Sequence, residues 1–410
     1  MLPYYLYSDL PGLHEHKLWA EIDAENLTYN YILLCSLMSG VRHICAVKAD
    51  AYGHVSNLCV RVLLKAGCSF FAVSCIEEAI SVRSICREEE KNADIIILGY
   101  TDSRQASLLA ENDIIQTIVS EEYAQRLNAA AKEQGGKVVR VHVALDTGMN
   151  RIGICAQNEE TCLSAAETVK MIVGYSNLSV EGMFTHFAKA DEDEAELASP
   201  ETYTRKQYAR FTFVKDALER EHIHLFCHAC NSAAAIRFPE FRLDGVRLGI
   251  MLYGVSPSKN IEAVTKPVMS LYTVISHVHD LIPGETVGYG GDYRADEPRR
   301  IATIPIGYAD GFLRAYRGYH VTVNTSHGNF KAPVVGRVCM DQCMIDVTGI
   351  PVEIEDRVTV FGSDPADLSI LAGLADTIEY EVLCLISARV PRIQKIRRDS
   401  VKVTSHLQVI

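Results

Sequence analysis

The stretch HICAVKADAYGH, residues 43–54, joins a predicted strand to a predicted helix and carries a lysine at the junction. Residues 43–47 are apolar enough to predict a buried strand, Gly53 breaks the chain, and an apolar helical pattern follows. Lys48 therefore ends a buried strand, where a lysine is costly unless it is paired or used covalently. A lysine whose ammonium reaches solvent from the strand end is the alternative interpretation.

Strand-like runs alternate with amphipathic helical stretches over residues 40–250. This alternation predicts parallel strands, and eight strand–helix units over this length match a (β/α)8 TIM-type barrel of the α/β class. A doubly wound sheet is the rival, but no Gly-x-Gly-x-x-Gly follows the first strand. The eight predicted strands are residues 43–47, 70–73, 94–98, 114–119, 138–145, 178–184, 223–227 and 243–248.

The pattern changes near residue 258, after which short β-rich runs alternate with turn signals such as Pro283-Gly284. This favours a second, mostly β domain with one helix near residues 366–374. Its predicted strands are residues 273–278, 300–306, 321–324, 334–340 and 357–361. We therefore expect an N-terminal extension, residues 1–17, that joins the β domain, a barrel over residues 18–258, and a C-terminal β domain over residues 259–410.

Composition excludes several classes of protein. The formal net charge of −12 over 410 residues argues against nucleic acid or an anionic membrane as the main partner. No apolar run reaches the ~20 residues that span a bilayer, and the N-terminus lacks the basic head of a secretory signal. The 13 cysteines are scattered through apolar segments, which is typical of free thiols in a reducing cytoplasm.

A group of histidines and cysteines within residues 222–230 has the composition of a zinc site. A tetrahedral site usually needs a second ligand pair elsewhere in the chain, and no matching pair stands out. The segment also has the pattern of a strand, so we expect no metal there. The residues concerned are His222, His224, Cys227, His228 and Cys230.

Three residues that follow predicted barrel strands suit a phosphate-bearing aldehyde. Lys48 follows strand 1, Ser232 opens a helix after strand 7, and Gly249 follows strand 8. A helix-start serine offers a hydroxyl and free N–H groups to a phosphate, and glycine permits close approach of the backbone. A plain helix-capping serine is the alternative. Together with a lysine amine, which can bind an aldehyde covalently, the set favours pyridoxal 5'-phosphate.

An ordered set of motifs from about Leu18 to Arg392 resembles the alanine racemase family. The resemblance implies an enzyme that uses pyridoxal phosphate to interconvert L- and D-alanine, supplying D-alanine for peptidoglycan. It also implies a cytoplasmic homodimer whose active site is shared between subunits. The matching segments are AVKADAYGH (46–54), LDTGMNRIG (145–153), THFAKADE (185–192), HACNSAA (228–234), VRLGIMLYG (246–254), GYADGFLRA (307–315), VGRVCMDQCMIDV (335–347), TIEYE (377–381) and RVPRI (389–393).

The resemblance assigns Lys48 and Tyr289 as the two catalytic bases, with Tyr289 supplied by the partner subunit. Racemisation needs proton transfer on both faces of the α-carbon, which two bases provide. A solvent-facing tyrosine is the alternative for Tyr289. The residues implied around the cofactor are Lys48, Tyr52, Arg151, His186, Asn231, Ser232, Arg247, Gly249, Ile250 and Tyr380, with His228 beneath the ring.

Further roles follow from the same resemblance. Arg247 has donors but no acceptor, so we expect it to keep the pyridine nitrogen unprotonated, which weakens the cofactor as an electron sink. Arg151 and the Met340 backbone N–H would bind the substrate carboxylate, with Asp341 adjacent. Residues implied to line an entry channel are Asp191, Tyr308, Arg314 and Arg337. For Arg314 and Arg337, a surface charge pair is an alternative.

One departure from the family pattern concerns Ala144. Family members often carry there a lysine whose carbamate orients the arginine that matches Arg151, and alanine cannot form a carbamate. We expect a bound anion such as chloride, or a carboxylate from elsewhere, to fill this role.

Three alternative functions remain. The presence of Tyr380 favours alanine over serine, because related serine racemases tend to carry a smaller polar residue there; a serine or broad-spectrum racemase is the first alternative. A pyridoxal-phosphate carrier protein would be shorter and would lack the β domain. A related decarboxylase would be expected to use an acidic group where Arg247 lies.

Overall fold

The computed structural model of the chain describes residues 16–191, 199, 202–257, 265–362 and 364–395. They form two compact units, which are described separately below. The barrel unit contains residues 27–51 and 59–266, and the β unit contains residues 1–26, 52–58 and 267–410, each as far as it is described.

The barrel unit contains eight parallel strands that close on themselves, as the sequence predicts. Closure is made by strand 8 pairing with strand 1, from Gly245 opposite Arg42 to Leu248 opposite Cys45. A two-residue strand, Ile154–Cys155, adds to the side of strand 5. Strands 1 to 8 are Arg42–Ala46, Phe70–Val73, Asp94–Ile97, Ile115–Ile118, Val139–Asp146, Leu178–Phe184, Phe226–His228 and Gly245–Leu248.

Helices connect these strands and begin at recognisable caps. The Ser120 hydroxyl accepts the Tyr123 N–H, and Asn158 forms a capping box with Thr161, so each supplies a first-turn N–H with an acceptor. The α-helices are Ala24–Leu37, Ser56–Lys65, Ile76–Glu88, Ala106–Glu111, Glu121–Glu133, Glu159–Val173, Tyr203–Arg220 and Ser232–Arg237. None of the helices in the described residues is long and apolar enough to cross a membrane.

Ion pairs gather at the amino-terminal ends of the barrel strands. Arg140 contacts the carboxylates of Asp94 at 2.8 Å, Asp113 at 3.0 Å and Glu181 at 2.8 Å. Arg42 also binds Asp94, at 2.5 Å. Each of these charged groups therefore has a partner of opposite charge. In a (β/α)8 barrel, ligand chemistry takes place at the opposite, carboxyl-terminal end of the strands.

The β unit contains a nine-stranded sheet in which one pairing is parallel and the others are antiparallel. Its strands, in spatial order, are His277–Leu281, Arg299–Ile304, Cys343–Asp346, Gly328–Val335, His320–Thr325, Arg357–Phe361, Met269–Val274, Leu18–Ile22 and Arg392–Gln394. A separate hairpin pairs Thr286–Val287 with Tyr293–Arg294. Two helices, Ala366–Leu374 and Glu379–Cys384, complete the unit, and the first matches the predicted helix.

The structure divides the chain differently from the boundary expected at residue 18. Strand Leu18–Ile22 pairs with Met269–Val274 and Arg392–Gln394 in the β unit, and the barrel begins only at Arg42. The local apolar pattern of a buried strand is the same in either sheet, so the pattern alone cannot assign it. The carbonyl of Lys17 accepts the Thr273 hydroxyl at 2.7 Å, while residues 1–15 of the expected extension lie outside the described residues.

Four of the five predicted strands of the β domain differ in their bounds from the observed strands, and for two of them the difference is large. The run 273–278 belongs to two strands, Met269–Val274 and His277–Leu281. Between them, the Ile275 N–H donates to the Asp356 carbonyl and the Ser276 N–H donates to the Thr303 carbonyl, so the chain passes from one neighbouring strand to another. The run 334–340 is strand only to Val335, because Gly336 turns the chain at φ +67°.

Candidate active site

Lys48 follows strand 1 and immediately precedes a left-handed turn. Residues Ala49 to Tyr52 all have φ between +52° and +55°. Each such residue costs about 1–2 kcal/mol, because its Cβ approaches the following carbonyl oxygen. The turn is held by the Ala51 N–H, which donates to the Val47 carbonyl at 2.9 Å, and by the Ala49 N–H, which donates to Glu78 Oε1 at 2.7 Å.

Arg247, in strand 8, is buried and surrounded by neutral acceptors. Its Nη1 donates to His228 Nδ1 at 2.7 Å and to the His228 carbonyl at 2.9 Å. Its Nη2 donates to the carbonyls of Thr185 at 2.7 Å and Ala229 at 2.8 Å, and to His186 Nδ1 at 3.2 Å. Among the described residues, no hydrogen bond involves the Arg247 Nε–H, which is therefore the donor left for a ligand.

Burial and the guanidinium together keep the neighbouring histidines neutral. Burial lowers the pKa of Arg247 to about 10, so it stays charged at neutral pH. Burial, and then the charge of Arg247, lowers the pKa of His228 and of His186 well below the usual value. Arg151 and Lys48 lower the pKa of His186 further. Three cations thus act on one imidazole, an arrangement that favours an anionic ligand.

A second histidine layer lies behind His228. His142, in strand 5, approaches His228 with Nδ1 3.1 Å from its Nε2, and burial lowers the pKa of His142 to about 3. The His228 ring stacks on Phe184 at 4.8 Å between centroids. These contacts fix the imidazole that in turn fixes Arg247.

Helix Tyr203–Arg220 positions the loops that carry Arg151 and His186. The buried Gln207 amide donates to the His186 carbonyl at 3.0 Å and accepts the Ala188 N–H at 2.9 Å. The Tyr203 hydroxyl donates to the Gly148 carbonyl at 2.7 Å in the loop before Arg151. Both loops are therefore anchored to one helix.

The Arg151 side chain is exposed, and in the described part of the chain no carboxylate forms an ion pair or hydrogen bond with it. The expectation that a carboxylate from elsewhere replaces the carbamate is thus not met among these residues. Ala144 itself is buried at the end of strand 5. A bound anion beside Arg151 stays a prediction.

The loops after strands 7 and 8 meet at Ser232. Helix Ser232–Arg237 is capped by Asn231, whose side chain accepts the Ala234 N–H at 2.9 Å. The Ser232 hydroxyl accepts the Gly249 N–H at 2.9 Å, and the buried Ile250 follows. The predicted phosphate residues of the barrel unit are therefore adjacent.

In the β unit, Tyr52 and Tyr380 lie near each other, with ring centroids 6.2 Å apart. Burial raises the pKa of the Tyr52 phenol, so it stays protonated at neutral pH. Next to it, Gly53 has φ +80°, and a Cβ at this position would lie 2.5 Å from the Leu383 carbonyl oxygen. Only glycine allows this approach.

Tyr289 lies in the loop of the hairpin formed by Thr286–Val287 and Tyr293–Arg294, and 68% of its surface is exposed. The loop glycines 288, 290 and 291 all have positive φ. Near it, Arg337 binds Asp292 through Nε at 2.5 Å and Nη2 at 3.0 Å, and this pair lowers the pKa of Asp292. The surface charge pair given as the alternative for Arg337 is therefore present, with Asp292 as its partner.

The other channel and substrate residues of the β unit are also exposed. Tyr308 is 39% exposed and Met340 54% exposed, and the Met340 carbonyl accepts the Ala309 N–H at 3.0 Å. Arg389 joins their loops by binding the buried Asp310 and the exposed Asp341, each at 2.6 Å. Arg314 is exposed beside this region of the sequence.

Each unit thus brings together part of the predicted site. The barrel unit carries Lys48, Arg151, His186, Asp191, Asn231, Ser232, Arg247, Gly249 and Ile250, and the β unit carries Tyr52, Tyr289, Tyr308, Arg314, Arg337, Met340 and Tyr380. Sequence reasoning missed Glu78 and His142. A glutamate at the third position of a helix and a histidine within an apolar strand are the signals that were available.

Among the described residues, no group of three or more His, Cys, Asp and Glu side chains could hold a metal ion. Cys227 and His228 lie in strand 7, where His228 binds Arg247 instead.

The donor set of the barrel unit fits pyridoxal phosphate. The amine of Lys48 suits its aldehyde, the remaining Arg247 Nε–H suits a ring nitrogen acceptor, and Ser232 with its adjoining helix start suits a phosphate. The three cations around His186 match the negative charge of such a ligand.

Comparison with known proteins agrees with this chemistry. The family model for the alanine racemase N-terminal domain matches residues 22–257, and that for the alanine racemase C-terminal domain matches residues 268–394. The chain is 38% identical over 405 residues to alanine racemase 1 of Clostridium acetobutylicum, covering 96% of this chain and 99% of that protein. It is 40% identical over 397 residues to the alanine racemase of Clostridium perfringens, covering 95% and 98%.

Solved structures show the same likeness. The alanine racemase of Clostridium difficile 630 in complex with cycloserine is 34% identical with a TM-score of 0.83, over 96% of this chain and 99% of that one. The alanine racemase of Bacillus anthracis with bound L-Ala-P is 32% identical with a TM-score of 0.82, over 95% and 97%. The chain therefore belongs to the alanine racemase family of amino-acid racemases.

Proposed function

We propose that this chain interconverts L- and D-alanine with pyridoxal phosphate bound at Lys48, and so supplies D-alanine for peptidoglycan. The observation that carries the proposal is the arrangement of Lys48, Arg151 and Arg247 around His186, with the Arg247 Nε–H left over as a donor. When bound, pyridoxal phosphate supplies an electron-withdrawing group that acidifies the α-hydrogen of an amino acid.

The residues proposed to hold the cofactor fall into groups that contact its aldehyde, its ring and its phosphate. Lys48 would bind the aldehyde, Arg247 would donate to the ring nitrogen, and His186, Asn231 and His228 would contact the ring. Since Arg247 has no acceptor atom, the ring nitrogen beside it stays unprotonated, which limits side reactions such as transamination. Proposed phosphate contacts are Tyr52, Ser232, Gly249, Ile250 and Tyr380. Arg151 and the Met340 N–H bind the substrate carboxylate.

Two bases on opposite faces perform the inversion in this proposal. The Lys48 amine and the Tyr289 phenolate each remove the α-proton of one enantiomer, and the conjugate acid of the other returns a proton to the opposite face. A phenol is a weak acid, so a tyrosine that acts as a base needs neighbouring positive charge. The mobile proton is held alternately on the Lys48 Nζ and the Tyr289 Oη.

The exposure of Tyr289 supports its action in a partner subunit, and hence a homodimer. Met340 and Tyr308 share this exposure, as expected for groups that a second copy would cover, and the proposed entry channel is completed by Asp191, Arg314 and Arg337. Mixing Lys48→Ala with Tyr289→Phe tests the sharing, because a hybrid dimer would regain one intact site. After random exchange of subunits, half of the dimers are hybrids with one intact site of two, so about a quarter of wild-type activity is expected. Two inactive variants that stay inactive as hybrids would refute the sharing.

Alanine is the proposed substrate because of Tyr380. Related serine racemases tend to carry a smaller polar residue at this position. A methyl-sized difference is worth only ~1–3 kcal/mol, so slow serine turnover is compatible with the proposal. A serine or broad-spectrum racemase remains the alternative but is not favoured by the relatives found.

A cytoplasmic location is also proposed. It is supported by the cysteines, all 13 of which are described and free of disulfides, as expected in a reducing compartment.

The decisive experiment is racemisation of L-alanine and of L-serine by the purified protein, followed by chiral chromatography, with Lys48→Ala alongside. D-alanine formation, little D-serine and an inactive variant are expected. Preferred turnover of serine would favour the alternative, and cofactor absorbance without turnover would favour a carrier protein or a decarboxylase.

A further inference from the structure

The left-handed turn after Lys48 needs an external support. Ala49 and Asp50 are exposed, so packing does not force their φ values of +52°. Alanine has no side-chain oxygen that could stabilise this conformation locally, unlike asparagine or aspartate. The hydrogen bonds made by the turn must therefore hold it.

The Glu78 carboxylate provides such a bond from a different element. Glu78 is the third residue of helix Ile76–Glu88, after strand 2. Its Oε1 accepts the Ala49 N–H at 2.7 Å, and its Oε2 accepts both the N–H and the hydroxyl of Ser74 at 2.9 Å. The carboxylate is thus fixed at one oxygen by the loop after strand 2 and holds the turn with the other.

We propose that Glu78 is a positioning residue for Lys48. It acts through the backbone of Ala49, the residue directly after the lysine, and not by touching the reacting atoms. Without it, Ala49 can relax to a right-handed conformation, which reorients the Lys48–Ala49 peptide and displaces the amine. The catalytic part of this inference rests on the proposed function of Lys48; the backbone part does not.

The backbone part is tested by amide hydrogen exchange in residues 46–54 of Glu78→Ala, with Glu77→Ala as the matched control. Glu77 precedes it in the same helical turn and is exposed. Losing a charge-assisted hydrogen bond should speed exchange of the Ala49 amide about 10- to 150-fold, while Glu77→Ala leaves it unchanged. Glu78→Gln keeps one carbonyl oxygen and should retain most of the protection. Unchanged exchange in Glu78→Ala would overturn the proposal.

A rescue variant separates positioning from general stability. Glycine adopts positive φ without the Cβ contact. The double variant Ala49→Gly/Glu78→Ala should therefore favour the left-handed turn about 5- to 30-fold more than Glu78→Ala alone. In alanine turnover, Glu78→Ala should lower kcat about tenfold or more with little change in KM, and the double variant should recover part of it. A loss of kcat that Ala49→Gly does not relieve would refute the positioning role.

These results remain interpretable if the proposed function fails. A wild-type protein that does not racemise alanine would remove the kinetic test but would leave the exchange measurements intact. Thermal unfolding of each variant shows whether it folds, so that a global loss of structure is not mistaken for a local one.

Discussion

Replacing Gly53 by alanine should disturb the segment after Lys48 more than any comparable glycine replacement in an open turn. The added Cβ would lie 2.5 Å from the Leu383 carbonyl oxygen and 3.4 Å from its carbon. Both atoms are backbone of helix Glu379–Cys384, so they cannot rotate away as a flexible side chain would. The Gly53 carbonyl is also held by Arg392 Nε at 3.1 Å, which opposes movement of the other partner.

The expected cost follows from two terms. A left-handed alanine costs about 1 kcal/mol or slightly more, and overpacking against fixed atoms adds about 1–3 kcal/mol. Gly40→Ala is the matched control, because Gly40 has φ +85° but no atom of the described residues lies within 4 Å of the new Cβ. The left-handed cost and the effect of a less flexible unfolded chain are common to both variants, so they cancel when the two are compared.

Urea unfolding of both variants without cofactor, at one pH and salt concentration, measures the difference. Gly53→Ala should unfold at a clearly lower urea concentration, corresponding to about 1–3 kcal/mol relative to Gly40→Ala. Alanine turnover should also fall in Gly53→Ala only, because Tyr52 precedes it and Tyr380 lies in the displaced helix. Equal urea midpoints for the two variants would refute the steric reasoning.

Three further predictions concern pH, substrate and anions. His142, His186 and His228 have folded pKa values below the unfolded value near 6.5, so the unfolded state alone takes up protons as the pH falls. The free energy of unfolding, measured in urea from pH 7 to 5, should therefore fall by about 1.4 kcal/mol per pH unit for each of them below pH 6.5; a flat profile contradicts this. Tyr380→Asn should raise the serine-to-alanine ratio of kcat/KM about tenfold, and an unchanged ratio would show that another residue sets the selectivity. Turnover should increase with chloride but not with a bulky organic anion at equal ionic strength, and identical responses would exclude a small anion beside Arg151.

Much of the barrel could be predicted because its strands are continuous apolar runs. Strands Phe70–Val73 and Leu178–Phe184 lie where the sequence predicts them, and the other six differ only at their ends. The assignment of Leu18–Ile22 failed because its partners, Met269–Val274 and Arg392–Gln394, lie hundreds of residues away. No local pattern specifies such a pairing.

The candidate site divides in the same way. Motifs pointed to Lys48 and Arg247 as candidate site residues, because the predicted chemistry depends on residue type at fixed positions. The contacts that orient them could not be read from the sequence, since Glu78 reaches Ala49 and His142 reaches His228 only after the barrel closes. Their residue types alone would equally suit a capped helix start and a buried polar side chain.

The hydrogen bonds that join Arg247, His228 and His142 also determine which ring nitrogen of each histidine carries the hydrogen. Arg247 can only donate, so the His228 Nδ1 that faces it must present a lone pair, and the hydrogen of that ring lies on Nε2. This Nε2–H points at His142 Nδ1, which in turn must be a lone pair, so both rings are locked in the same Nε2–H tautomer. A protonated ring anywhere along the line would set two hydrogens against each other. The row of side chains therefore orients the guanidinium and confines each of the two buried imidazoles to a single tautomer.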